Sequence, residues 1–301
     1  MVQSLQPDLV HAGPIQKVSF LAALNDFHPL ISMSWGTDLL MDADQDLIWR
    51  AVTRFTLQHS DWLIGDCLAV REKAASFGFN KEHTTIFPWG IDLDEFKPSK
   101  SPILRQRYQW KDHFVILCTR NWEPRYGVEL VVRAFCENAG RMKDAILVMV
   151  GGGSQEGLLR KMVVDSGLSD RVFFAGRVEY ANLPAYYQAA DLYISASHSD
   201  GSSVSLMEAL GCGCPVLVSD IIANREWVQP GNQGWLFKDG DWRDLSVGML
   251  HAYQQKDKLL TYRRNARQTA LQKADWKKNS QTLLSTYDKV ADLDFEKNLA
   301  R

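Results

Sequence analysis

Apolar residues gather in short runs along the chain, and between the runs they recur at intervals of three and four. The runs "DLVHA" (8–12), "PLISMS" (29–34), "WLIG" (62–65) and "TTIFP" (84–88) predict strands. So do "FVILCT" (114–119), "AILVMVG" (145–151), "VFFAG" (172–176), "LYISAS" (192–197), "CPVLVS" (214–219) and "GWLF" (234–237). The intervening periodicity predicts helices over 15–25, 45–59, 67–77, 126–139, 155–166, 182–190, 203–210, 222–228, 241–254 and 256–273. Strands that alternate with helices form parallel sheets with helices against their faces. Strands covered on both faces read as unbroken apolar runs, and these do. A last helix over 280–293 carries Leu283, Leu284, Tyr287, Val290 and Leu293 at helical spacing.

The stretch "WGIDLDEFKPSKSPILRQRYQWKD" (89–112) has Pro98, Pro102 and many charges but no apolar period, and reads as a linker. It divides the chain into a first α/β domain over 1–88, a second over 113–275 and a C-terminal segment over 276–301. The second has six strand candidates, enough for a doubly wound Rossmann-like sheet; the first has four and looks incomplete.

The 301 residues are 46% hydrophobic, enough for a large core in two domains. The net charge of −2 is far from that of a protein held to nucleic acid by bulk electrostatics, so no nucleic-acid partner is expected. Cys67, Cys118, Cys136, Cys212 and Cys214 are odd in number, have no framework spacing and mostly sit in apolar runs. They read as buried, reduced thiols of a reducing compartment, the cytoplasm. "CGC" at 212–214 has no second pair and no nearby His, so no metal site is expected. The opening "MVQSLQPDLVHAG" has no basic and apolar regions of a signal peptide, and no apolar run approaches the roughly 20 residues of a membrane span.

Ligands of open α/β sheets bind beyond the carboxyl ends of the strands, and the polar motifs of this chain fall there. After "LYISAS" comes "HSDGSS", then the helical "VSLMEALG". A strand, a small-residue loop and a helix N-terminus form an anion site. Glu208, a turn into the helix, can accept hydrogen bonds from ribose hydroxyls, and Asp200 from a sugar hydroxyl. The same residues also read more plainly: "SLME" (205–208) is a capping-box pattern, and Asp200 is an ordinary turn residue. Arg120 follows the strand at 114–119, at the edge where ligands lie, and taken alone reads as half of a surface ion pair. "GGGS" (151–154) meets the dinucleotide-loop spacing only loosely.

The stretch "DGSSVSLMEALGCGCPVLVSD" (200–220) closely resembles the donor-site signature of the retaining GT-B glycosyltransferases of the glycosyltransferase group 1, or GT4-like, family. Asp200 stands for the first Glu of that signature, Ser203 where many members have Gly, and Glu208 is its second Glu. The resemblance implies two Rossmann-like domains across a cleft, the first for the acceptor and the second for a nucleotide-diphosphate sugar. It implies transfer with retention at the anomeric carbon, without a metal or cofactor. It places Gly201, Ser202, Ser203 and Val204 at the donor, with Arg120 holding the diphosphate and Arg120 and Asp200 nearest the chemistry. The family's Lys falls at Tyr126, and Arg125 beside it is a substitute of different reach. Gly152 of the glycine turn, and Arg177 and Val178 after "VFFAG", fall at the base side of the donor.

In the first domain "QPDLVHAG", with His11, resembles a family strand, and "PLISMSWGTDLL" one that often reads "THG-D", here with Trp35 at the His position and with Asp38 retained. His11, Trp35 and Asp38 are thus the acceptor-side candidates, although a core role suits His11 and Trp35 equally. "FPWGIDLDEFKP" (87–98) resembles the family's inter-domain segment, and the final helix is expected to cross back to the first domain. The family's opening strand–helix pairs have no counterpart, which reads as a short member or a fragment, marginal or self-associating in isolation. A glycan, lipid-linked or small-molecule acceptor is the family habit, met in the cytoplasm or, by peripheral association, at the inner membrane face. Two other readings stay open: a non-catalytic relic that binds nucleotide sugar, and a GT-B epimerase or phosphorylase, the latter without a recognisable pyridoxal-phosphate lysine motif.

Overall fold

The computed structural model describes the backbone of residues 5–299 and the side chains of residues 5–292. It forms two compact units: residues 1–89, 199–202 and 276–301 make unit 1, and residues 90–198 and 203–275 make unit 2.

Unit 1 is built on four parallel strands, β1 (Val10–Ala12), β2 (Leu30–Met33), β3 (Trp62–Gly65) and β4 (Thr84–Ile86), in that spatial order. The stretch predicted as one helix over 15–25 is a π-helical turn, Ile15–Ser19, running into Phe20–Ala23. Helices α1 (Leu47–Gln58) and α2 (Leu68–Ser76) follow β2 and β3. Asp46 caps α1 by accepting from the Trp49 N–H at 2.8 Å. Because side chains alternate along a strand, Leu30 packs with Ala12, Ala23 and Phe55, while Ile31 and Met33 point the other way. That second face, with Trp62, Ile64 and Phe87, is covered by the C-terminal helix Trp276–Leu299 through Leu283, Tyr287 and Val290. Leu284, expected in this stripe, is exposed instead; Leu293 lies outside the described side chains. Thr286 bonds Thr85 of β4 at 3.0 Å, and Asn279 donates to the Pro88 and Trp89 carbonyls.

Unit 2 holds six parallel strands: β5 (Phe114–Cys118), β6 (Ala145–Val150), β7 (Val172–Gly176), β8 (Leu192–Ser195), β9 (Val216–Ser219) and β10 (Gly234–Phe237). Their spatial order is β10-β9-β8-β5-β6-β7. The order reverses between β5 and β8, which is the doubly wound Rossmann arrangement, and ligands bind where it reverses. In register, Ile116 pairs with Leu192 and Leu117 with Tyr193. Its helices of five residues or more are α3 (Ile103–Arg107), α4 (Val128–Asn138), α5 (Glu156–Asp165), α6 (Leu183–Ala189), α7 (Val204–Gly211), α8 (Trp242–Gln254) and α9 (Leu259–Lys273), and the helix predicted over 222–228 is the single turn Ile222–Arg225. Phe135, Leu147, Ile194, Leu217 and Met249 lie in one continuous core.

The segment read as a linker folds into unit 2. Phe96 is fully buried, and α3 went unpredicted because one short turn has no period to detect. Arg105 of α3 ion-pairs with Asp191 and donates to the carbonyls of Trp110, His113 and Ala189. Ile91 and Asp275 form an isolated bridge, so the two chain ends of this unit lie side by side. The five cysteines are free, and burial pushes the Cys118 thiol up to about 11 and Cys214 to about 12.

Candidate functional site

In unit 2 the reversal between β5 and β8 brings two loops together at the carboxyl ends of the strands. One leaves β5 through Thr119 and Arg120; the other enters α7 at Ser203. The Arg120 guanidinium donates from one nitrogen to Ser203 Oγ (2.8 Å) and Ser205 Oγ (2.9 Å). Its plane lies over the Tyr126 ring, 4.3 Å from the centroid. Tyr193 of β8 supports Ser205 from below, hydroxyl to hydroxyl at 2.8 Å. A fixed cation therefore stands beside the N-terminus of α7, where no side chain caps the first turn. Free first-turn N–H groups and a guanidinium together favour an anion.

Glu208 lies one turn further in and is buried. The capping-box reading fails here: α7 starts at Val204 with Ser203 at its N-cap, so Ser205 is already inside the helix. The carboxylate accepts from Tyr187 instead, at 2.7 Å. Since that hydroxyl spends its proton on Glu208, the Thr119 hydroxyl, 2.9 Å away, donates to the Tyr187 oxygen. Burial pushes the Glu208 carboxyl up to about 7, against the pull of the Tyr187 bond and the Arg120 charge. The same negative charge, after burial, raises the Tyr180 hydroxyl to about 12. Among the described residues Glu208 Oε1 receives no hydrogen bond, so the carboxylate can accept from hydroxyl donors.

The glycine turn after β6 is shaped by close backbone packing. Gly151 has φ 137°, and a Cβ there would stand 2.7 Å from the Arg120 carbonyl. One on Gly153 would meet the Trp122 carbonyl at 2.4 Å. Gly152 opens instead toward the exposed Arg177, with Val178 half-buried behind it. Glu123 closes the turn by accepting from the Ser154 N–H and hydroxyl at 2.9 and 2.5 Å. Arg125 is exposed, and its carbonyl accepts from the His198 N–H at 3.0 Å. Tyr126, at the position of the family Lys, is the residue against Arg120.

The remaining candidates fall in unit 1. Asp38 is buried: its Oδ1 accepts from Ser34 Oγ (2.7 Å) and the Trp35 N–H (2.9 Å), its Oδ2 from the Ile15 N–H (2.9 Å). Those bonds make it the holder of the loop that displays Trp35, which is 55% exposed. His11 is bound through Nδ1 to the Tyr287 hydroxyl at 2.8 Å, and burial lowers its pKa. The tetrapeptide 199–202 packs in this unit. Gly201 donates to Asp200 Oδ1 at 3.2 Å, and Ser202 donates from N–H to Asp66 Oδ2 (2.9 Å) and from its hydroxyl to the Asp66 carbonyl (2.6 Å). A Cβ on Gly201 would lie 1.9 Å from Asp66 Oδ2, and one on Gly36 2.5 Å from the Gly201 nitrogen. Asp66 was not a candidate; burial, with the nearby charges of Asp200 and Asp38, pushes it up to about 7. Thr119, Tyr187, Tyr193 and Ser205 were passed over in the same way. Their only sequence signal is polar atoms at the ends of otherwise apolar elements.

Residues 100–269, more than half of the chain, match the family model of the glycosyl transferases group 1. The chain belongs to this family. A GDP-mannose-dependent alpha-(1-6)-phosphatidylinositol monomannoside mannosyltransferase of Mycolicibacterium smegmatis is 30% identical to this group 1 glycosyltransferase over 156 residues, 49% of this chain and 41% of that protein. A D-inositol 3-phosphate glycosyltransferase of Acidothermus cellulolyticus is 28% identical over 181 residues, 57% of this chain and 40% of that one. The alignments thus span about two-fifths of these curated relatives. The crystal structure of Anabaena HepE in complex with UDP superposes with a TM-score of 0.85 at 22% identity, over 96% of this chain and 80% of that one. That likeness establishes the GT-B fold. No helix among the described residues is long and apolar enough to cross a membrane.

Proposed function

We propose that this group 1 glycosyltransferase moves a sugar from a nucleotide-diphosphate donor to a hydroxyl acceptor, with retention at the anomeric carbon. The observation that carries the reading is the Arg120 guanidinium fixed on Ser203 and Ser205 at the uncapped start of α7, with the buried Glu208 one turn in. Arg120 and the first-turn N–H groups take the diphosphate, and Glu208 accepts from the ribose hydroxyls. Negative charge grows on the departing diphosphate as the anomeric bond breaks. A preorganised guanidinium beside a helix N-terminus stabilises it without a metal ion. The leaving phosphate then accepts the proton of the incoming acceptor hydroxyl, so no protein nucleophile is needed.

Asp200 is assigned to a sugar hydroxyl of the donor and Trp35 to the acceptor, with His11 and Asp38 shaping the ground beside it. Gly152, Arg177 and Val178 are assigned to the base. Two relatives that act on inositol-containing molecules by name, one of them a phosphatidylinositol mannoside, favour a polyol or lipid-linked acceptor. The test is incubation with UDP- and GDP-sugars, following nucleoside diphosphate release and reading the anomeric configuration of the product by proton NMR. Release with inversion would overturn the retaining assignment. Binding with neither hydrolysis nor transfer would make the chain a nucleotide-sugar-binding module.

A further inference from the structure

At the opposite, amino end of the unit 2 sheet lies a cavity of about 610 Å³. Asp191, just before β8, and Cys212 and Gly213, before β9, line it. Helix α9 forms one wall with Leu260, Arg263, Arg264 and Arg267, spaced to share a single helix face. Pro98 and Pro102 are among the apolar residues that line it, and Arg105 adds a fourth guanidinium.

Internal bonding accounts for the geometry of these cations but not for their charge. Asp191 takes Arg105 and, at 2.8 Å, Arg263. Arg267 donates to the carbonyls of Leu93, Phe96 and Gly211 at 3.1, 2.8 and 2.8 Å. Carbonyls orient a guanidinium without neutralising it. Four guanidinium groups against the one carboxylate in the lining leave an excess of positive charge around a concave surface, in a chain whose net charge is −2. Burial lowers the pKa of Arg267, against the opposing pull of Cys212 and of Asp94. Arg264 stands exposed, and Leu260 is 63% exposed. Guanidinium forks match the paired oxygens of a phosphate.

We propose that this cavity binds a phosphate-bearing ligand, either a free phosphomonoester or the headgroup of an anionic lipid. Arg263 and Arg264 hold the phosphate, and Leu260, Pro98 and Pro102 take the less polar body. The site is separate from the donor residues, on the other end of the same strands, and the proposal does not rest on the donor reading.

The test uses the full chain carrying Arg120→Ala, which removes the other cation expected to hold phosphate. Inorganic phosphate is titrated by phosphorus NMR line broadening. Co-sedimentation is measured with vesicles of phosphatidylcholine containing phosphatidic acid, and with phosphatidylcholine alone. Arg264→Ala and Gln268→Glu lie on exposed positions of α9, and thermal melts verify that they fold. Each should weaken binding of the responsive probe roughly fivefold or more. Vesicle binding that requires phosphatidic acid and is lost in these variants assigns the lipid headgroup. Phosphate binding lost in the variants, without vesicle binding, assigns the free phosphomonoester. Absence of binding to both probes, or binding unchanged in folded variants, overturns the proposal.

Discussion

Glu208→Gln separates the two things this side chain does. The carboxyl is pushed up to about 7 by burial, so in the folded chain it holds its proton at a pH where the unfolded chain, at the ordinary 4.5, has lost it. Between about pH 4.5 and 7 the native state binds more protons than the unfolded state, and stability falls as pH rises through that window. At ~1.4 kcal/mol per pH unit the full displacement amounts to about 3 kcal/mol. Gln keeps an acceptor for the Tyr187 hydroxyl, now 2.7 Å from Oε2, and removes the charge. Without ligand, Glu208→Gln should therefore match the parent at pH 5 and exceed it at pH 8 by up to about 3 kcal/mol. Nucleotide binding should respond in the opposite sense. A charged acceptor for ribose hydroxyls contributes about 1.5–3 kcal/mol, so affinity for a nucleoside diphosphate at pH 8 should fall by roughly ten- to a hundredfold. Urea unfolding from pH 5 to 8 and calorimetric titration with UDP and GDP read the two quantities. A variant that loses stability at pH 8 and binds as tightly as the parent would refute the reasoning, because Glu208 would then be structural alone.

Arg120→Ala should cost about 1.5–3 kcal/mol for a nucleoside diphosphate and little for the bare nucleoside; equal losses would place the guanidinium elsewhere than at the phosphates. Arg125→Ala, at an exposed position, should leave both affinities within roughly twofold, and a loss as large as that of Arg120→Ala would restore it as the stand-in for the family Lys. Gly201→Ala puts a methyl 1.9 Å from Asp66 Oδ2 and should destabilise by roughly 1–3 kcal/mol; an unchanged melt would show that the loop yields. Asp66→Asn removes a carboxyl also raised to about 7, so the fall in stability between about pH 4 and 7 should become shallower, and an unaltered slope in urea unfolding would contradict the burial argument.

The strands were legible because a strand covered on both faces leaves no polar position to interrupt the run, as in "FVILC" and "AILVMV". Their ends were legible too: Arg120 comes two residues after β5, and Ser203 closes the loop that leads from β8 into α7. What could not be read is pairing across the sequence. Tyr187 and Glu208 are 21 positions apart, and Asp66 and Ser202 136; neither Tyr187 nor Asp66 differs in sequence from a core tyrosine or a turn aspartate. "SLME" misled because a capping box is defined by spacing, whereas the helix start is set by the loop that Arg120 fastens. Asp38 was found as the retained Asp of the "THG-D" pattern, yet its carboxylate is consumed by the Ile15, Ser34 and Trp35 donors. Trp35, by contrast, stands exposed on that loop.

The central claim, a donor site built on Arg120 and the start of α7, is tested most directly by nucleoside diphosphate release from a panel of UDP- and GDP-sugars in the presence of a chelator. The account predicts release from at least one donor that persists with the chelator and falls by two or more orders of magnitude in Arg120→Ala, with a cooperative melt to verify that the variant folds. Release that Arg120→Ala leaves intact, or that the chelator abolishes, would contradict it.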